Sequence, residues 1–108
     1  MPLQAAFIFL ARGADAARDR ATIRTPQVEL TVVGAADYAA AETVAQSLVG
    51  QGIGAIELCG GFGVAGAARI AKAVAGKAAI GVVRFDGHPG LGGKSGDEIF
   101  AGVPRTTP

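Results

Sequence analysis

Tryptophan is absent from this 108-residue chain, and cysteine, tyrosine and histidine occur once each. A single cysteine excludes an internal disulfide and fits a reducing compartment. Charge of one sign is also missing: ten basic residues face nine acidic ones, a formal net charge of +1, and aromatic residues make up 6%. Without a Lys/Arg cluster or a stacking platform, nucleic acid is not an expected partner. No apolar run approaches the roughly 18 residues that a membrane helix needs. The apolar stretch from Ala5 to Ala11 lacks the basic start and cleavage region of a signal peptide, so it reads as a strand, and the cytoplasm is the expected location.

What the chain does have is apolar residues, 50% of the total, and seventeen glycines. The length suits one domain, residues 1–108, with residues 86–108 as a glycine-rich C-terminal tail. Four runs have strand length and strand-forming residues: AAFIFLA (5–11), VELTVVG (28–34), AIELCGG (55–61) and AIGVVRF (79–85). Between the second and third, Ala41, Val44, Ala45, Leu48 and Val49 recur at helical spacing, with Asp37 placed to cap the start and Gly50 and Gly52 to end it. A second helix follows the third run, with Ala67, Ile70, Ala71 and Val74 on one face and Gly76 at its end. Ala14 to Ala21 is a candidate third, short helix. The expected fold is therefore α/β: a small, mainly parallel sheet of about four strands with two or three crossover helices. The alternation of Val28, Leu30 and Val32 with Glu29 and Thr31 points to 28–34 as an edge strand, and the runs at 5–11 and 79–85 as more central. Alanine-rich helices leave apolar sheet surface for a second copy to bury, so a homo-oligomer is expected.

In open parallel sheets, ligands bind beyond the carboxyl ends of the strands. There lie Glu57, Cys59, Gly60, Gly61, Phe62 and Gly63 after the third strand, and Arg84, Asp86 and His88 after the fourth. The helix after CGGFG has no Ser, Thr, Asp or Asn to cap it, so its N–H groups are expected to hold an anion or water. Glu57 interrupts an apolar strand and calls for a partner, Arg84, or serves as a base. Cys59 is a candidate nucleophile near a helix start, or a small buried hydrophobe. His88, beside Pro89, is a candidate acid/base group or a loop hydrogen-bonding residue. Asp86 is a second acid/base candidate or a turn cap. Their spacing matches no established metal pattern, and no cofactor is implied.

The tail stretch GHPGLGGKSGD contains Gly93-Lys94-Ser95, yet the signature G-x-x-x-x-G-K-[ST] needs glycine where His88 stands. A nucleotide triphosphate is therefore not expected, and Lys94 is instead a candidate contact for an anionic ligand under a tail that covers the strand ends. Asp97 and Glu98 read as a solvated turn.

The stretches AAFIFLA, VELTVVG, ELCGGFG and above all RFDGHPGLGGKSGDEIF resemble an uncharacterised family of small bacterial proteins, a domain of unknown function. The resemblance covers nearly all of residues 3–100 and implies a free-standing domain without implying an activity. The expected function is binding of a small anionic metabolite at the strand ends, through Cys59, Gly60 to Gly63, Arg84 and Lys94. The alternatives are an assembly protein whose tail docks on a neighbouring subunit, and a small enzyme using thiol or acid/base chemistry.

Overall fold

A computed structural model of the protein describes residues 1–85 and 87–102. The elements run β1 (Leu3–Leu10), β2 (Arg20–Arg24), β3 (Val28–Ala35), α1 (Tyr38–Gly50), β4 (Ala55–Leu58), α2 (Val64–Val74), β5 (Ala79–Val82), a single 3-10 turn (Pro89–Leu91) and α3 (Gly96–Phe100). The strands form one five-stranded sheet in the order β2-β3-β1-β4-β5. All pairings are parallel except the β2–β3 hairpin. The sheet is thus one strand larger than the sequence suggests and mixed in direction.

The extra strand corrects the reading of Ala14 to Ala21 as a helix. Asp15 accepts the N–H groups of Ala17 and Arg18 at 2.9 and 3.1 Å, closing one polar turn, after which the chain enters β2. A turn whose carboxylate binds its own backbone competes with helix continuation. Consequently β3 is internal, paired on both sides, and the edges are β2 and β5. Its alternation arises because the helices do not reach over the hairpin: there the helix side carries Thr22 against Thr31 at 3.1 Å and Arg24 against Glu29 at 3.9 Å. The run at 79–85, expected to be central, supplies the exposed edge β5.

Both long helices follow the local chemistry. Asp37 caps α1 by accepting the N–H of Ala40 at 2.8 Å, and Tyr38, Ala41, Val44, Ala45 and Leu48 face inward. Ile70 and Val74 do so from α2, which ends with Ala75 and Gly76 at positive φ. Two right-handed crossovers that move in the same direction across a sheet put their helices on the same face. The core accordingly lies on that one side, where Ala6, Ile8, Val33, Ala35, Ile56 and Leu58 meet Leu48 and Ile70. Because side chains alternate along a strand, Leu3, Phe7, Phe9, Leu30 and Val32 point to the opposite face, which none of the described helices covers.

Candidate functional site

The loop CGGFG joins β4 to α2, and Gly63, the N-cap of α2, offers no side chain to its first turn. The vacancy is filled from the tail. Asp97 accepts the N–H of Ala65 on Oδ2 and that of Gly66 on Oδ1, both at 3.0 Å, so an internal carboxylate caps a helix more than thirty residues away. Oδ1 also accepts the Tyr38 hydroxyl at 2.7 Å, and that hydroxyl in turn accepts the N–H of Gly63 at 2.9 Å. The reading of Asp97 as a solvated residue is corrected by these bonds. Partial burial disfavours its charged form, but the hydrogen bonds from Tyr38, Ala65 and Gly66 outweigh this and hold the carboxyl below its ordinary range. Burial, with the Asp97 charge beside it, raises the Tyr38 phenol well above its ordinary value.

Aromatic packing locks this arrangement. Tyr38 stacks on Phe62 with centroids 5.6 Å apart, Phe100 of α3 closes from the side at 6.4 Å, and the Arg69 guanidinium lies 5.5 Å from the centre of the tyrosine ring. Arg69 forks onto Glu42 of α1 at 3.0 and 3.1 Å and donates to the Ala101 carbonyl at 3.2 Å, tying both helices to the tail. Close approach explains two glycines here. A side chain on Gly96 would collide with the Gly61 carbonyl, and one on Gly66 with the Tyr38 ring. α3 itself starts with a capping box, in which Ser95 accepts the Asp97 N–H and Glu98 accepts the Ser95 N–H.

Beside this latch lies a cleft of about 290 Å³ lined by Phe62, Gly63, Val64, Ala67, Val82, Val83, Arg84, Phe85, Ser95 and Asp97. Val64, Val82, Val83 and Phe85 are exposed, so its walls are mainly apolar. Of the residues that the sequence nominates for ligand binding, Phe62, Gly63 and Arg84 therefore reach it. Cys59, Gly60, Gly61 and Lys94 lie outside its lining. Cys59 is half-buried, and its Sγ accepts the N–H of Gly61 at 3.3 Å. The Nδ1 of His88 accepts the Gly90 N–H at 2.9 Å, its ring lies 4.6 Å from Phe85, and its backbone bridges to that of Lys94, so it holds the tail turn. Glu57 is exposed on the helix-free face instead of buried, and its partner in the register is Gly81 of β5. Asp86 lies outside the described residues. Among the described residues, no three His, Cys, Asp or Glu side chains gather as metal ligands, and no helix is long and apolar enough to cross a membrane.

Sequence reasoning missed the partners Tyr38, Asp97 and Arg69. The spacing of Ser95 and Glu98 announces the start of α3, but nothing local announces what Asp97 reaches. A family model described as a family of unknown function (DUF6506) matches the chain over residues 3–98. No curated protein and no solved structure matches it.

Proposed function

The chain belongs to the family of unknown function DUF6506, and we propose that it binds a small anionic metabolite with an apolar body in the cleft at the carboxyl ends of β4 and β5. The observation that carries this reading is the cleft itself: exposed Val64, Val82, Val83 and Phe85 around Arg84, at the start of α2. Apolar walls with few polar groups are the usual make-up of a ligand site, and about 290 Å³ falls at the bottom of the usual range, which selects a small ligand. Arg84 favours an anion. Because Asp97 already holds the Ala65 and Gly66 amides, the ligand sits beside that carboxylate and does not replace it. Cytoplasmic residence and association with further copies are proposals independent of this one.

A panel of short branched and straight-chain carboxylates, with inorganic phosphate beside them, tests this through backbone amide shifts. An apolar carboxylate should move Gly63, Val64, Val83 and Arg84 at millimolar concentration, and Arg84→Ala should abolish the response. Silence of these amides to every member of the panel sinks the reading. The assembly alternative draws on a different observation, the seating of the tail residues Asp97 on α2 and Phe100 against Tyr38 of α1. The thiol and acid/base alternative has less geometric support, since Glu57 and Cys59 lie outside the cleft.

A further inference from the structure

We infer that the helix-free face of the sheet is the surface through which two copies of this chain pair. The face is set by the strand register: Leu3 lies opposite Val28, Ala5 opposite Leu30 and Phe7 opposite Val32, and across the hairpin Ile23 lies opposite Leu30. Directly paired residues point the same way, so these side chains form one apolar surface. Leu3 and Ile23 remain 53% and 58% exposed.

Size argues for a partner. The strands have 8, 5, 8, 4 and 4 residues. At about 3.3 Å per residue and about 4.8 Å between strands, they span a flat footprint of roughly 460 Å². Side-chain relief enlarges this, so two copies would bury on the order of 1,000 Å² or more, the lower end of a specific interface. A patch of that extent matches the largest one on a typical monomer, which is often a functional contact surface.

Shape argues for a second copy. The face has a bulky half, with Ile23, Leu30 and Val32 on β2 and β3, and a flat half, with Ala55, Ala79 and Gly81 on β4 and β5. β1 runs between them as the central strand. A two-fold axis lying between the sheets and along β1 places the bulky half of each copy over the flat half of the other. This is the aligned packing of a sandwich, with sheets about 10 Å apart. Charge is sparse on it. Of the strand residues, the register assigns one charged side chain, Glu57, to this face, beside Gly81 of the edge strand, and the mutually paired Arg18 and Asp19 border it next to Phe9 and Val32. The cleft at the strand ends is elsewhere, so pairing and ligand binding stand or fall separately.

Sedimentation of the intact chain from about 1 to 200 µM brackets the micromolar affinity that so modest an interface supports. The expected result is a species of twice the 10.7 kDa chain mass at the upper concentrations. Ile23→Lys and Leu3→Lys, at side chains already more than half exposed, should each weaken pairing at least about tenfold while leaving the far-ultraviolet circular dichroism of the chain unchanged. Ala68→Lys, on the exposed side of α2, should leave it intact. A chain that stays monomeric throughout, or a dimer indifferent to both face lysines, overturns the inference.

Discussion

Removing the Asp97 carboxylate should undo the docking of the tail, and the size of the effect follows from its bonds. It accepts three hydrogen bonds, from Tyr38, Ala65 and Gly66. In Asp97→Asn one oxygen can keep the Tyr38 and Gly66 bonds, but the new amide then turns its own donors toward the Ala65 N–H. One hydrogen bond is lost, about 1 kcal/mol, and the others lose charge assistance. The start of α2 also loses its negative charge, about 0.3 to 1 kcal/mol. Together these give roughly 2 kcal/mol, a sizeable part of the 5 to 15 kcal/mol that stabilises a typical domain. Urea unfolding measures the total, and hydrogen exchange at Ala65 and Gly66 locates it. With no tryptophan and one tyrosine, emission from Tyr38 reports on the same bond directly, and it should brighten once its carboxylate partner is gone. If Asp97→Asn stays within about 0.5 kcal/mol of the parent, as ordinary surface changes do, and both amides keep their protection, the latch is not the stabilising contact argued here.

Acid should act in the same direction. The folded pKa of Asp97 is depressed, so its contribution is complete above the unfolded value of about 3.9 and is lost as pH falls through the lower folded value; the parent should therefore lose more stability below about pH 4 than Asp97→Asn does. Gly66→Ala raises helix propensity by up to about 1 kcal/mol, yet the buried Tyr38 ring occupies the space, so unfolding should show a net loss of about 1 to 2 kcal/mol. Arg69→Ala removes the fork to Glu42 and the bond to Ala101 together, and should speed exchange across α3 while costing about 1 kcal/mol overall, because its surroundings are partly wet. Asp37→Ala should cost about 1 kcal/mol through the α1 cap alone, with α2 protection unchanged.

Hydrophobic runs located four of the five strands, and the caps and glycines located both long helices, because each of these signals is local. β2 was hidden by its composition. RATIR alternates Ala21 and Ile23 with Arg20, Thr22 and Arg24, a strand period, but it follows so closely on a charged turn that the polarity dominated. Alternation in β3 has two causes that look alike in sequence, an edge position and a helix layer that stops short. The strand at 79–82 shows the converse, since Val82, Val83 and Phe85 serve the cleft and not a central position. The site was visible as an uncapped helix start. What fills it was not, because the Asp97 contacts span 31 and 32 residues and only the folded tail brings them together.

Placing β1 at the centre of the sheet also governs how the chain can assemble. Its two neighbours come from later in the sequence: Leu3 aligns with Val28, and Ala5 with Ala55, separations of 25 and 50 residues (28 − 3 and 55 − 5). Doubling the loop adds only about 0.6 kcal/mol of closure entropy, so the second pairing is little harder to close than the first. During synthesis, however, the ribosome must release β4 before that side of β1 can be paired. Until then a strand as apolar as AAFIFL presents one open edge to other nascent chains, a hazard that rises with expression rate and falls as elongation quickens.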